Sequence, residues 1–254
     1  VGADDPLKAA QAACDHVDAA SLVDHVVGAD KIAALHREFE SRYRRYYQDN
    51  ELDDTLEVGN RRYMIPVELA GPFADPEIYA NPAVVAVARL ALDLDAVLES
   101  CGAVIALSES RQQHIHRDGP VLFDSAISAM LPAHALTFVL PLIDMNEEHG
   151  TTALWPGSHR WRKRDESVPP IAPEVPVGSC MIWDFRLYHG GTPNPSAAPR
   201  PILYSTYARR WYLDPRNFEK PTQPRLLYDE DFVRNLPEQN RPLFANLPDR
   251  TWRS

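Results

Sequence analysis

The stretch Gln112-Gln113-His114-Ile115-His116-Arg117-Asp118-Gly119 holds the residue types best suited to gripping a metal ion. His116 and Asp118 are two apart, so in an extended chain both side chains leave the same side. One imidazole and one carboxylate can share an ion, and a third ligand must come from elsewhere. His189 is the strongest candidate, because it ends a strand-like apolar run over residues 181–188 and is followed by Gly190-Gly191. Two histidines and one carboxylate on one face leave half of an octahedral coordination sphere open, the arrangement that suits ferrous iron and dioxygen chemistry. His114 shares that face and is an alternative ligand. His149 and His159 read as turn residues, and His134 as the entry to a strand.

Arg200 follows His189 by 200 − 189 = 11 residues, across a segment rich in glycine, proline and asparagine. That spacing predicts His189 and Arg200 on neighbouring antiparallel strands that reach into one cavity. A guanidinium there can clamp a carboxylate in bidentate fashion. A dicarboxylic co-substrate would chelate the metal with one end and meet Arg200 with the other. Arg209 and Arg210 compete for that role.

The elements that must position these groups change character along the chain. The first hundred residues read as mostly helical. Ile32, Leu35, Phe39 and Tyr43 recur at helical spacing over residues 30–47, with Asp30 as N-cap. A second helix is expected from Asn81-Pro82, with Val84, Val87, Ala91, Leu94 and Leu98 as its apolar stripe. Residues 63–69 between them are a candidate strand. After residue 102, short apolar runs broken by Gly, Pro and Asn predict strands over 103–109, 136–143, 152–155, 180–185 and 202–209, an antiparallel sandwich or barrel. The polar, proline-punctuated residues 211–254 read as a wrapping tail with a short helix. No linker divides the chain, so one domain is expected over 1–254, with residues 1–101 packing onto the barrel.

The composition excludes several classes. A net charge of −10 and a pI near 5.3 argue against a nucleic-acid partner. Cys14, Cys101 and Cys180 are odd in number and form no CxxC pair, which argues against a disulfide framework and fits a reducing cytoplasm. No segment reads as a signal peptide or a membrane span. The oligomeric state is not legible.

The ordered motifs resemble the phytanoyl-CoA dioxygenase family of iron(II)/2-oxoglutarate oxygenases. Gln113, His116 and Asp118 match its Q-x-x-H-x-D segment in the HRDG form. The strand into Asp144, Gly150 and the turn Pro156-Gly157-Ser158-His159 follow in order. Gly178, Trp183-Asp184, His189-Gly190-Gly191, Asn194 and Arg200 complete the set. The resemblance covers residues 102–210 well and the N-terminal helices loosely. It implies a mainly β double-stranded β-helix (jelly-roll, cupin-like) core over 102–210, flanked by α-helices. It implies Fe(II) held by His116, Asp118 and His189, with 2-oxoglutarate and O2 as co-substrates and Arg200 on the distal carboxylate. Gln113 sits where relatives line the co-substrate pocket. Some relatives place a serine two residues after the distal histidine, where this chain has Gly191, so Thr137 or Ser196 would supply that hydroxyl. Relatives that halogenate lack the metal carboxylate, so the presence of Asp118 favours hydroxylation of a small-molecule metabolite, with release of succinate and CO2. Arg111, Arg117, Phe123, Trp155 and Arg186 are candidates to line the substrate pocket. Trp183, Asp184 and Tyr188 are candidates to orient His189. Two rivals are a cupin-like hydrolase or isomerase, which leaves Arg200 without a role, and a noncatalytic jelly-roll binding module.

Overall fold

The computed structural model describes residues 20–50 and 52–247; Cys14 lies outside them. Helix α1 spans Ala29–Arg42 and buries Ile32, Leu35 and Phe39, the face its periodicity foretells. It stops five residues short of the expected end, and a 3-10 turn at Arg44–Tyr46 follows. Gly28 is the N-cap, and Asp30 instead places its carboxylate in the first turn, against the positive end of the helix dipole. A single turn, α2 (Pro76–Tyr79), precedes α3 (Pro82–Leu92), where the Asn81 side chain accepts from the Ala83 N–H at 3.0 Å. The expected stripe of α3 breaks at Asp93, which has φ 126° and ends the helix. Leu94 is consequently 84% exposed, and Leu98 is buried on a strand.

Seven strands form one antiparallel sheet in the order β1-β7-β5-β9-β4-β3-β2. These are β1 (Ala20–Val23), β2 (Leu56–Gly59), β3 (Arg62–Pro66), β4 (Val97–Ala106), β5 (Ala135–Pro141), β7 (Cys180–Asp184) and β9 (Arg200–Ala208). Facing it is a small sheet of β6 (Thr152–Leu154) and β8 (His189–Gly191). Single antiparallel bridges extend that small sheet: Ser110–Asn194, His116–His189, Met145–Val175 and Leu154–Ile171. The result is a double-stranded β-helix.

The division expected at residue 102 falls inside β4, and β1, β2 and β3 bring the first hundred residues into the large sheet. These strands are four or five residues long, too short for a period-2 pattern to stand out. A last helix, α4 (Glu230–Asn235), lies in the tail. No helix among the described residues is long and apolar enough to cross a membrane.

Alternation along the strands separates two packing layers. On the outer face, Leu136, Phe138 and Tyr207 meet Val84, Val87 and Leu92 of α3 and Phe232 and Phe244 of the tail. Ile65, Ile105 and Leu203 meet Ile32, Leu35 and Phe39 of α1. On the inner face, Val139, Met181, Trp183 and Ile202 pack with Met145, Leu154, Val175 and Leu187 from the opposite side. Each large apolar side chain so buried contributes about 1.5–3 kcal/mol. The inner layer leaves open the part of the barrel that carries the polar groups described next.

Candidate active site

His116 and His189 are backbone neighbours across the small sheet. Each N–H donates to the other's carbonyl at 2.9 Å, and the ring centroids lie 4.4 Å apart. In each ring Nδ1 meets the carbonyl two residues earlier, His116 with His114 at 2.9 Å and His189 with Leu187 at 3.0 Å. A carbonyl only accepts, so Nδ1 carries the proton and Nε2 presents its lone pair inward. The two Nε2 atoms face the same oxygen, Asp118 Oδ1, at 3.9 and 3.3 Å. All three ligand atoms lie within 4.8 Å of one another. Donor atoms this close could be shared by one metal ion, which would be held by His116, Asp118 and His189.

The second oxygen of Asp118 is fixed from the large sheet. Thr137 Oγ1 donates to Oδ2 at 2.6 Å and Trp183 Nε1 donates at 2.9 Å. Thr137 and Trp183 are register partners on β5 and β7, so both face the same side. Oδ1 is thereby the atom left for a metal. Burial pushes the Asp118 carboxyl up, but the two imidazoles and the Thr137 hydroxyl carry it well below the usual carboxylate range. Burial, aided by the His189 charge, brings the His116 ring down to about 4, which keeps it neutral. Burial also opposes charge on His189, but the Asp118 carboxylate outweighs it and raises that ring.

These residues line a cleft of about 1190 Å³ together with Gln113, Arg62 and Arg200. Arg62 and Arg200 are each only 2% exposed. Arg200 donates from Nη1 to the carbonyls of Thr151 at 3.1 Å and His149 at 3.3 Å. Arg62 donates to the Thr192 carbonyl at 2.9 Å and to Gln113 Oε1 at 3.4 Å. The Nε of each is buried without a partner, and no carboxylate among the described residues pairs with either. Burial lowers Arg62 to about 10; burial and the neighbouring Arg62 lower Arg200 to about 9. Two buried cations without an acid make the cleft a site for an anion.

Several expectations meet a different arrangement. The run 181–188 is not one strand: β7 ends at Asp184, the chain turns, and His189 opens β8 in the other sheet. His189 and Arg200 therefore face each other from opposite sheets and are not on neighbouring strands. Thr137 gives its hydroxyl proton to Asp118, and Ser196 donates to Asn194 Oδ1 at 2.7 Å in a turn that does not line the cleft. Gln113 is committed on both atoms, accepting from the Gly191 N–H at 2.8 Å and donating to the Val58 carbonyl at 2.7 Å. His114 lines the cleft but is outside the converging ligand set. Arg209 pairs with Asp93, outside the cleft.

Of the substrate-pocket candidates, only Arg117 lines the cleft, with its guanidinium 4.2 Å from the Tyr188 ring. Arg186 instead forms a buried pair with Asp184 at 2.7 Å, and Trp155 donates to the Val168 carbonyl. Trp183 serves Asp118 as hydrogen-bond donor, while its ring lies 4.9 Å from His189. The sequence reading missed Arg62, which lies just before the expected strand 63–69 and carries no motif. It also missed Asn217 and Phe218, which line the cleft from the tail and carry no motif.

Comparison with known proteins finds one family and a shared fold. The family described as phytanoyl-CoA dioxygenase (PhyH) matches residues 17–202. An Fe(II)/2-oxoglutarate-dependent dioxygenase, nvfF of Aspergillus novofumigatus, is 28% identical over 150 residues, 58% of this chain and 50% of that protein. The match thus spans about half the length of that relative. Two solved structures share the fold. HygX from Streptomyces hygroscopicus, with nickel, 2-oxoglutarate and hygromycin B bound, superposes with TM-score 0.60 at 16% identity, over 85% of this chain and 95% of that one. AviO1 from Streptomyces viridochromogenes superposes with TM-score 0.61 at 20% identity, over 85% and 100%.

Proposed function

The chain belongs to the phytanoyl-CoA dioxygenase (PhyH) family, and from that premise we propose that it hydroxylates an unactivated C–H bond of a small-molecule metabolite, using iron(II), 2-oxoglutarate and O2. The balanced reaction converts R–H, 2-oxoglutarate and O2 into R–OH, succinate and CO2. The observation that carries this reading is the pairing, in one cleft, of a two-histidine, one-carboxylate ligand set with two arginines that lack an acid. A hydrolase or isomerase on the same triad gives those cations no role.

The donor set fits ferrous iron, with two imidazole Nε2 atoms and one anionic oxygen facing a common point. Iron held there supplies dioxygen activation, which the protein's own groups cannot. The chain's contribution is geometry. Thr137 and Trp183 hold Asp118 so that Oδ1 faces the ion. The carbonyls of His114 and Leu187 fix both imidazole tautomers. Arg200 and Arg62 receive the distal carboxylate of 2-oxoglutarate, and Gln113 holds Arg62 in place. Thr152 is in register with Gly191 and lines the cleft, so its hydroxyl takes the part for which Thr137 and Ser196 were the first candidates. A Cβ at Gly191 would collide with the Arg62 guanidinium, so any larger residue there must displace that side chain from its place in the cleft.

The test is succinate formation from 2-oxoglutarate with iron(II) and ascorbate across a metabolite panel. Substrate-dependent succinate with a product heavier by one oxygen is expected. Iron binding without any 2-oxoglutarate turnover across the panel would reject the proposal.

A further inference from the structure

The family match ends at residue 202, yet part of the cleft wall comes from beyond it. We propose that residues 214–225 form a lid over the cleft, latched at both ends by Glu99, and that Asn217 and Phe218 on this lid select the primary substrate; the selection rests on the oxygenase reading above.

Both ends of the segment meet at one side chain. The Asp214 N–H donates to Glu99 Oε1 at 3.1 Å, and Arg225 Nη1 pairs with the same oxygen. Arg225 Nη2 returns to the Asp214 carbonyl at 2.5 Å, and the Arg225 carbonyl accepts from the Cys101 N–H at 2.9 Å. A segment whose ends meet while its middle crosses the surface is an Ω-loop, a loop type that often carries function. Glu99 is 5% exposed and lies at an irregularity of β4, where the register shifts between Leu98 and Ser100. Such a bulge re-aims a side chain, here toward the neck of the loop.

The middle of the loop lies on the metal side of the cleft. Asn217 Nδ2 donates to the Asp118 carbonyl at 3.1 Å and to Asp214 Oδ2 at 2.7 Å. Both amide protons are engaged, so Asn217 offers a bound molecule its Oδ1 acceptor. Phe218 lines the cleft with its ring 4.8 Å from the Arg225 guanidinium, which holds the ring at the neck. The far side docks on the segment leading into β2, through Thr222 to the Asp53 carbonyl at 2.7 Å and Gln223 to the Thr55 carbonyl. Leu56 and Val58 of β2 face the cleft from there. The bound molecule thereby presents a flat or hydrocarbon face to Phe218 and a hydroxyl or N–H to Asn217.

The loop is held by polar contacts, at the neck and at its far side, so local opening costs far less than global unfolding. Pro215, Pro221 and Pro224 limit the conformations of the open form and favour reclosure. Lifting the loop removes Asn217 and Phe218 from the cleft without moving the imidazoles or the arginines, which lie on other elements.

Two measurements on the full chain loaded with iron(II) and 2-oxoglutarate test the proposal. The first follows trypsin cleavage after the exposed Arg216 by mass. Glu99→Gln keeps the side-chain volume but removes the ion pair, and cleavage at this bond should quicken about tenfold while the melting transition stays cooperative. Equal cleavage in wild type and variant overturns the latch. The second measures succinate formed per hydroxylated product, with the panel compound that wild type turns over best. Phe218→Ala and Asn217→Ala should raise that ratio about fivefold, with the KM for 2-oxoglutarate changing less than about twofold. An unchanged ratio and an unchanged panel ranking overturn the substrate role. If wild type forms no succinate from 2-oxoglutarate with any panel compound, the oxygenase reading and the substrate role fail together, while the cleavage measurement still decides the latch.

Discussion

Arg62 and Arg200 face the cleft from one row of the large sheet, each opposite Ala106: Arg62 pairs with Ala106 across β3 and β4, and Ala106 pairs with Arg200 across β4 and β9. Register partners point to the same face, so two strand spacings of about 4.8 Å set the arginine backbones about 10 Å apart. The small Ala106 side chain leaves the space between them free. Replacing either arginine by Ala should therefore weaken 2-oxoglutarate binding. A charged hydrogen bond contributes about 1.5–3 kcal/mol, or roughly 10- to 150-fold in the KM for 2-oxoglutarate, read from succinate formation. An unchanged KM in Arg62→Ala would leave Arg200 as the sole clamp.

Gly191 and Arg62 compete for one volume. Gly191→Ser should lower the melting temperature and abolish 2-oxoglutarate binding on its own. The double variant Gly191→Ser with Arg62→Ala should recover most of the lost thermal stability, because the collision is gone. Additive losses in the double variant would show that the two do not share the space.

Asp118 carries the negative charge of the candidate metal centre, and its Oδ2 is held by two donors. Asp118→Ala should abolish turnover. Thr137→Val keeps the shape and Trp183→Phe keeps an aromatic ring, each removes one donor, and each should weaken iron(II) binding by about 10- to 100-fold, the usual effect of losing a group that orients a ligand. Iron titrations of the two variants check this. Wild-type affinity in both would remove the sheet from the metal site.

His134 is 1% exposed, and both ring nitrogens are buried without a partner. Burial, reinforced by the nearby Arg186 charge, brings the ring down to about 4. A folded value below the unfolded 6.5 means that the unfolded chain takes up a proton that the folded chain refuses. The stability that depends on neutral His134 is thus complete above pH 6.5 and is lost as the pH falls toward 4, a change of about 3 kcal/mol. His134→Phe, which fits beside the rings of Tyr212 and Phe185, should flatten the pH dependence of urea midpoints across that window. A slope equal to wild type would place the acid sensitivity elsewhere.

The candidate metal-ligating group was legible because its chemistry is local in sequence. His116 and Asp118 need only an extended chain between them, and His189 is marked by the glycines that follow it. Apolar periodicity likewise placed α1 and the start of α3, since each runs for three turns or so, while both C-terminal ends fall short of the expected ones. The partition between sheets was not legible. Nothing in residues 181–191 states that the chain turns after Asp184 and crosses to the opposite sheet, because strand pairing is a contact between distant segments and leaves no periodic trace.

Arg62 became a partner of Arg200 only through register, a property of three strands together. The role of Thr137 was decided the same way, by its alignment with Trp183 over Asp118. The chemistry of this protein follows from which side chains it carries. Where a co-substrate sits, and what covers it, follows from strand order, because a cleft exists only after both sheets close and buried charges take their places relative to one another.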